Sequence, residues 1–433
     1  LELGSTGAKG RPRASGKVGS PAAAERMRIL IYGLNFAPEP VGTGRYSGEL
    51  AQWLQRRGHE VRVVTAVPYF PRWQAEDNRY RRQRLQGVEV WRAPLWVPRQ
   101  PRGVTRLLHL ASFALSSLPL LLAQLGWRPQ VVFTVAPAFF CAPGALMLTR
   151  LAGRRCRAWL HIQDFELDAA FALGMLRGRW LQQLAAGWER RTLRGFDRLS
   201  SISEAMLRHA QGKGVDPRRC HLLPNWVDLQ AIQPQTAQQR ALNPYRQELG
   251  ITADSLVLQY SGSMNQKQGL ELLVTVIQHL QHRRNLVWLL AGEGPSRQTL
   301  AAATAGFAGV RLLPLQPVER LNDWFNLADV HLLPQRAGAA DLVLPSKVLA
   351  ILASGRPMVA STPAGSSLGQ LADQAGLRVE PEDPLAFAAA VEQLLDDPAL
   401  RQQKGQAGRH LAEEHYGRDA VLMRLEQELV GLA

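Results

Sequence analysis

The sequence predicts two doubly wound α/β domains in tandem, facing each other across a cleft. From Met27 onward, short apolar β-branched runs alternate with helical patterns, the mark of parallel-sheet architecture. A polar Gln- and Pro-rich stretch, Gln230 to Pro244, divides these runs into two series of similar size and reads as a linker. The length of 433 residues, at roughly 100 to 200 per domain, gives two or three domains that can each bury a core.

In the first series the strands are expected at Arg28 to Leu34, Glu60 to Val67, Val88 to Ala93, Gln130 to Val135, Arg157 to Ile162 and Arg198 to Ile202. Between the first two, Tyr46, Leu50, Trp53 and Leu54 share one helical face before Gly58 ends the helix. The second series predicts strands at Leu256 to Tyr260, Leu286 to Ala291, Val310 to Leu313, Val330 to Leu333, Pro357 to Ser361 and Leu377 to Val379. Helices fill the gaps, among them Leu270 to Leu280, Arg320 to Asn326, Leu385 to Leu395 and, at the end, Asp419 to Leu432. This pattern gives a tail at 1–26, a first domain at 27–229, a linker at 230–244, a second domain at 245–415 and a terminal segment at 416–433. The tail is rich in Gly, Ala, Ser and basic residues and lacks an apolar core of signal-peptide length. It reads as a disordered expression remnant or upstream extension.

Composition narrows the function. With 46% hydrophobic and 20% charged residues the chain is neither a disordered protein nor a coiled coil, and three cysteines exclude a disulfide-stapled module. Cys141, Cys156 and Cys220 lie far apart without a C-x-x-C pair, as expected of buried thiols in a reducing cytoplasm. The net charge is +15; five basic and two acidic residues fall in 1–26, leaving +12 on the rest. Acidic partners are therefore expected: anionic lipid, phosphorylated small molecules or nucleic acid. Aromatic residues at 7%, and the lack of a helix-turn-helix, zinc or RNA-binding signature, argue against nucleic acid.

Leu107 to Leu125 is almost wholly apolar, broken by His109, Ser112, Ser116, Ser117, Pro119 and Gln124. Its length suits a membrane span, but its polar residues favour core packing or an interfacial helix. Arg72, Arg79, Arg81, Arg82, Arg84, Arg92, Arg99, Arg102 and Arg106 precede it, and basic residues beside an apolar helix attract anionic lipid. The membrane surface is the favoured reading over a solvated basic face.

Five loops carry candidate chemistry. Gly33 to Gly44 follows the first strand, and the spacing of Gly42 and Gly44 at a strand-to-helix junction lets backbone N–H groups approach an anion, although a plain tight turn explains it equally. His161-Ile162-Gln163-Asp164 ends a strand, with Glu166 and Asp168 following; a histidine among carboxylates there is either structural or a polar site for a sugar or a general base. In the second domain Gly262-Ser263-Met264-Asn265-Gln266-Lys267-Gln268-Gly269 supplies a cation and loop amides, and Gly292-Glu293-Gly294 repeats the strand-to-glycine turn. Leu344-Pro345-Ser346-Lys347 then opens a helix that ends at Gly355, a phosphate cradle or an ordinary helix start. Three glycine or cation loops, all placed after strands, point together to a nucleoside diphosphate in the interdomain cleft.

The same residues resemble glycosyltransferase family 4, enzymes of the GT-B fold, and within it the bacterial colanic acid biosynthesis glycosyltransferases. The resemblance rests on Met27-Arg-Ile-Leu-Ile-Tyr-Gly-Leu-Asn-Phe-Ala-Pro-Glu39, the run His161 to Glu166, Leu223-Pro224-Asn225, Lys267 to Glu271, and Leu344 to Lys347 followed by Ala353-Ser-Gly-Arg-Pro357. It covers nearly everything from Met27 onward.

The resemblance implies transfer of a sugar, with retention, from a UDP- or GDP-sugar to a polyprenyl-diphosphate-linked or polysaccharide acceptor in exopolysaccharide synthesis. The enzyme would be peripheral on the inner face of the plasma membrane and would need neither metal nor cofactor. It gives His161, Asp164 and Lys267 catalytic roles: Lys267 neutralises the leaving diphosphate, His161 lies near the transferred sugar, and Asp164 orients that region or the acceptor. Gly42, Gly44, Gly262, Ser263, Gly292, Glu293, Gly294, Asp341, Ser346 and Lys347 form the donor and phosphate contacts. The terminal helix is expected to cross back to the first domain.

Two departures stand out. The family's pair of glutamates, eight residues apart, falls at Leu342 and Ala350, with Asp341 one position off, and Ser263 stands where many members have Arg. The colanic acid relatives share the Pro-Ser-Lys form instead of the pair. A non-catalytic nucleotide-binding scaffold and a GT-B nucleotide-sugar 2-epimerase are the alternatives, the first predicting binding without turnover.

Overall fold

A computed structural model describes residues 26–432 apart from 40–41, 71–72, 100–102, 137–138, 166–178, 340–344 and 346. The tail expected at 1–26 thus lies outside the described residues except for Arg26.

The first sheet contains β1 (Arg28–Gly33), β2 (Glu60–Ala66), β3 (Arg81–Leu85), β4 (Val88–Ala93), β5 (Val131–Ala136), β6 (Arg157–Ile162), β7 (Arg198–Ser201) and β8 (Cys220–Leu222), in the order β3-β4-β2-β1-β5-β6-β7-β8. Only the β3–β4 hairpin is antiparallel. The second sheet contains β9 (Leu256–Ser261), β10 (Leu286–Ala291), β11 (Val310–Leu313), β12 (Val330–Pro334), β13 (Met358–Ser361) and β14 (Gly376–Val379), ordered β11-β10-β9-β12-β13-β14 and wholly parallel. Strand order reverses between β1 and β5, and between β9 and β12. Those are the points where loops diverge and leave a ligand crevice.

Helices cover both faces of each sheet, because strands such as β5 and β10 are apolar and buried along their whole length. On the first sheet, α1 (Thr43–Arg56) turns Tyr46, Leu50, Trp53 and Leu54 inward, as its spacing predicts. The last helix of the chain, here α16 (Arg418–Leu432), does not pack on the second domain that precedes it. Its Val421, Leu422, Leu425 and Leu429 are buried with Ile29, Ile31 and Val61 of the first domain, worth about 1.5–3 kcal/mol per side chain as an upper estimate. Buried Glu426 of α16 fixes the contact by accepting from His59 Nε2 at 2.9 Å and Arg57 Nε at 3.1 Å. The chain crosses between domains where Val227 bonds to Tyr416 and Arg418 through the backbone, 2.9 Å each.

Four expectations are corrected. The stretch Gln230 to Pro244 is not a free linker. It carries a short helix, α7 (Ala237–Ala241), leads into α8 (Pro244–Glu248), and docks on the second domain: Gln233 N donates to Asn322 and Gln235 N to Asn326, each at 2.9 Å, while Asn243 Nδ2 donates to Asp323 O at 2.8 Å. Strand β3 was not expected, because Arg81-Arg-Gln-Arg-Leu85 has no apolar alternation. It is held instead by charge and ring contacts, with the Arg82 guanidinium 4.7 Å from the Trp91 ring and paired with Glu89. Strand β8 was also missed. Lastly, Arg92 is no lipid-facing cation: it is buried and donates to the carbonyls of Ala66 at 2.8 Å and Ala37 at 2.5 Å, tying the ends of β1, β2 and β4 together. The cysteines are free; Cys141 and Cys156 are buried and Cys220 is half-buried.

The apolar segment forms α2 (Val104–Ser116), α3 (Leu118–Ala123) and a 3-10 turn at Gln124–Trp127, a run long and apolar enough by composition to cross a membrane. One face, with Leu110, Phe113 and Leu121, is core. The polar residues that interrupt the run bond inward: Ser112 Oγ accepts from Trp96 N at 2.9 Å, Ser116 Oγ donates to Pro94 O at 2.5 Å, and Ser117 Oγ meets Tyr32 Oη at 2.7 Å. The other face leaves Leu108, Leu115 and Leu122 exposed at seven-residue spacing, with Val104 beside them.

Candidate active site

The second domain brings its glycine loops into backbone contact. A Cβ at Gly292 would lie 1.9 Å from the carbonyl oxygen of Gly262, and one at Gly294 would lie 2.4 Å from that of Met264, so only glycine permits this approach. Met264 N donates to Glu293 O at 2.8 Å and Ser296 N to Met264 O at 2.9 Å, which locks the loops after β9 and β10 side by side. Tyr260, one residue before the end of β9, is buried, and its hydroxyl donates to Ser263 O at 2.6 Å.

Lys347 is the first residue of α12 (Lys347–Ser354) and reaches this paired edge. Its Nζ lies 3.7 Å from the centre of the Tyr260 ring, and its chain packs against Gly262, with Cδ 3.2 Å from where a Cβ would stand. The ammonium is buried without a hydrogen-bond partner among the described residues. Desolvation pushes it down from the ordinary lysine value to about 7. The ring face offers a cation–π contact but no counter-charge. The result is a cation held against the first of two paired, amide-rich loops at the switch point of the second sheet, an arrangement that can bind a phosphate-type anion.

Lys267 sits differently. It is exposed in the turn Gln266–Gln268, capped by Asn265 Oδ1, which accepts from Lys267 N at 3.0 Å. It faces the other domain: burial raises the Asp164 carboxyl above the usual range, while the charges of Lys267 and of Arg106, at the start of α2, oppose that rise. Asp164, Lys267 and Arg106 therefore share one electrostatic environment across the cleft. Arg106 is a member that the sequence analysis placed only in a basic flank.

His161 ends β6 and is almost fully buried, its ring 6.0 Å from that of Phe133. Burial holds it neutral, at about 3. Ser200 Oγ lies 2.9 Å from Nδ1 and also accepts from Trp159 Nε1 at 2.8 Å. The Gln163 amide nitrogen lies 3.2 Å from Nε2; with the amide so turned, Nε2 accepts and Nδ1 carries the proton. Such a ring offers a lone pair or a polar edge, not a positive charge.

In the first domain Gly42 is the N-cap of α1 with φ 63°, and no side chain caps the helix. A Cβ at Gly44 would lie 3.0 Å from Glu39 Cβ and Oε2, so any larger residue there would press on the Glu39 side chain. Glu39 itself is buried. Its Oε1 accepts from the backbone N–H of Tyr69 at 3.2 Å and Phe70 at 3.1 Å, and its Oε2 accepts from Asn35 at 2.9 Å. Ser263 meets Asn265 Nδ2 through its hydroxyl at 3.0 Å, and the exposed Glu293 carboxylate lies 3.8 Å from Arg297, so that carboxylate serves its own loop. Asp341, Ser346, Glu166 and Asp168 lie outside the described residues. Sequence reasoning missed Tyr260, Glu39 and Ser200: Tyr260 reads as one more apolar strand residue, Ser200 as strand filler, and Glu39 was passed over between two prolines. Among the described residues no group of three or more His, Cys, Asp or Glu side chains is placed to hold a metal ion.

Comparison with known proteins gives the family. Residues 41–226 match the model of the glycosyl transferase 4-like domain, and residues 255–397 match that of the glycosyl transferases group 1. The chain is 37% identical over 417 residues to the putative colanic acid biosynthesis glycosyl transferase WcaI of Escherichia coli K12, covering 94% of this chain and 100% of that one. It is 32% identical over 212 residues to a D-inositol 3-phosphate glycosyltransferase of Xylanimonas cellulosilytica, covering 48% of this chain and 50% of that protein. Among solved structures it superposes on sucrose-phosphate synthase of Thermosynechococcus elongatus with a TM-score of 0.72, at 17% identity over 94% of this chain and 99% of that one. Anabaena Alr3699/HepE in complex with UDP-glucose gives a TM-score of 0.68, at 13% identity over 94% of this chain and 100% of that one.

Proposed function

The chain belongs to the two-domain GT-B glycosyltransferases of family 4, related to WcaI of colanic acid biosynthesis, and from that premise we propose that it is a retaining transferase using a UDP- or GDP-sugar. The observation that carries the donor assignment is the buried Lys347 ammonium, without a hydrogen-bond partner among the described residues and packed beside the Gly262 loop that the Gly292 loop adjoins. The donor's diphosphate lies there and supplies the counter-charge. As the bond from the anomeric carbon to the diphosphate breaks, negative charge grows on the leaving oxygen. A cation and N–H groups already fixed in a water-poor site stabilise that charge without reorganising.

Lys267 closes over the same diphosphate from its exposed turn. Asp164 draws Lys267 towards the first domain and so couples closure to donor binding. Neutral His161 presents Nε2, through Gln163, to the hydroxyls of the transferred sugar. The acceptor hydroxyl attacks from the first-domain side, and its proton passes to the leaving phosphate oxygen on the same face, which gives retention. No metal is assigned a part.

The acceptor is a polyprenyl-diphosphate-linked or polysaccharide chain, and the enzyme works against the inner face of an anionic membrane. Support for this comes from the exposed Val104, Leu108, Leu115 and Leu122 stripe with Arg99 and Arg106 at its start. The test is turnover of a UDP- and GDP-sugar panel with lipid-linked acceptor extracts, with the anomeric configuration of the product read by proton NMR. An inverted product overturns the mechanism, and nucleotide binding without turnover on any acceptor overturns the substrate assignment.

A further inference from the structure

The cores of the two domains part between consecutive residues. Trp226 is buried with Tyr46, Leu50 and Leu223 in the core of the first domain, and Val227 with Ile232 and Ala412 in that of the second. The chain returns as abruptly: Tyr416 packs against the second core, and Val421 is buried in the first. The two crossings touch, with Val227 and Gly417 in a parallel bridge and Arg418 Nη1 donating to Asp228 Oδ2 at 2.6 Å. Both passages thus lie on one short axis, and rotation of one domain against the other turns there.

Trp226 fastens that axis to the first domain. Its indole N–H donates to Glu49 Oε2 at 2.6 Å, and its ring meets that of Tyr46 edge-on, with centres 5.1 Å apart. Glu49 and Tyr46 both belong to α1, and Glu49 Oε1 accepts from Arg45 Nε at 2.7 Å, which holds the carboxylate in place. The helix is itself seated tightly on its sheet: a Cβ at Gly48 would lie 2.9 Å from that of Ala37, and Leu50, Ala51 and Leu54 are buried. A hydrogen bond to an ionised acceptor is roughly twice as strong as a neutral one. This bond is more than core packing requires, since a phenylalanine fills most of the same space without needing a partner.

Register across the cleft depends on the axis. At about 10 Å from an axis, a rotational error of about 6° displaces a group by about 1 Å, and a misplacement of that size costs on the order of a hundredfold in rate. Lys267 of the second domain shares one electrostatic environment with Asp164 and Arg106 of the first. Closure therefore has to bring the Lys267 turn to one place.

We propose that Trp226 is a positioning residue for sugar transfer: through Glu49 it fixes the axis of closure on α1, so that the donor held by the second domain meets the first domain in a single register. The proposal rests on the cleft being the transferase site described above.

The test is hydrogen exchange read by mass spectrometry on the full chain, with and without UDP or GDP. Segments 262–269 and 292–297 report nucleotide on the second domain, and segments 103–110 and 160–165, which carry Arg106 and Asp164, report closure of the first domain over it. Trp226→Phe keeps a ring and removes the indole N–H. Glu49→Leu removes the acceptor from a partly exposed position, so the test stands even where Trp226→Phe does not fold, and Glu49→Gln keeps an acceptor oxygen. In the unmodified chain, nucleotide should slow exchange in all four segments. In Trp226→Phe and Glu49→Leu the slowing in 103–110 and 160–165 should fall about fivefold, that in 262–269 and 292–297 should stay within twofold, and Glu49→Gln should retain both. First-domain slowing that is equal in Glu49→Leu and the unmodified chain, equal loss in Glu49→Gln and Glu49→Leu, or no first-domain slowing in the unmodified chain overturns the proposal. So does faster exchange throughout α1 without nucleotide in the variants, the mark of a merely structural role. Absence of slowing in 262–269 and 292–297 of the unmodified chain overturns the donor site itself, and the proposal with it.

Discussion

Replacing Lys347 by Met keeps an unbranched apolar chain against Tyr260 and Gly262 and removes only the charge, which makes stability and donor affinity move in opposite directions. The ammonium has no hydrogen-bond partner among the described residues, and burial lowers it to about 7. An apolar replacement of a buried charge is worth about 1–4 kcal/mol of added stability. The pH dependence has a definite sign. Between about 7, the folded value, and roughly 10.4, that of an unperturbed lysine, the unfolded chain binds more protons than the folded one. The wild-type protein therefore gains stability as pH rises through that window, and below it the penalty is constant. The advantage of Lys347→Met is largest near neutral pH and shrinks towards pH 10.

Donor affinity behaves in reverse, because loss of one partner from a desolvated charge pair costs about 2–5 kcal/mol, a weakening of roughly thirtyfold or more. In the unmodified protein, donor binding above pH 7 must return a proton to Lys347, and affinity falls by up to about tenfold per pH unit. Titration calorimetry of UDP and GDP at pH 8.5, in two buffers of different ionisation enthalpy, measures affinity and proton uptake together. Thermal unfolding supplies the stability. A Lys347→Met protein that binds nucleotide within threefold of wild type, or that melts at a lower temperature, refutes the assignment of Lys347 to the diphosphate.

Three further outcomes are expected. Gly292→Ala forces the Gly262 and Gly292 loops apart, since the new methyl group falls 1.9 Å from a carbonyl oxygen; nucleotide thermal shift should vanish, and unfolding should fall by about 1–3 kcal/mol. Glu426→Leu leaves the His59 Nε2–H and the Arg57 guanidinium without the buried carboxylate that they share; a loss of about 2–4 kcal/mol should appear as hydrogen exchange concentrated in α16 and β1. Leu108→Glu with Leu115→Glu should weaken sedimentation with anionic vesicles at least tenfold, because each exposed leucine contributes about 1.5–3 kcal/mol when buried in lipid, with no change in nucleotide binding.

Where the chain states a pattern of period two or 3.6, it could be read directly. All twelve strands anticipated in the two series begin and end within one residue of those observed, most of them apolar on both faces as buried parallel strands are. What failed to read were elements whose stability comes from partners distant in sequence. Strand β3 carries three arginines in five residues and holds because Trp91 and Glu89 lie across the hairpin. The polar interruptions of 107–125 looked like marks against a membrane helix, yet Ser112 and Ser116 bond to the 94–96 segment, and so the outer face stays free and apolar.

The same division runs through the site. Sequence alone determined that glycine and cation loops follow strands in both domains, because such loops need φ values or close approaches that only glycine permits, and it determined the family to which the chain belongs. Tertiary structure alone decided which lysine is buried. Lys267 and Lys347 are equal as letters, but one lies in an exposed turn opposite Asp164, while the other is pressed onto an aromatic ring without a hydrogen-bond partner among the described residues. Desolvation and pairing depend on what surrounds an atom in three dimensions. That is why the buried cation and the buried Glu39 emerge only once each sheet is assembled with its own loops.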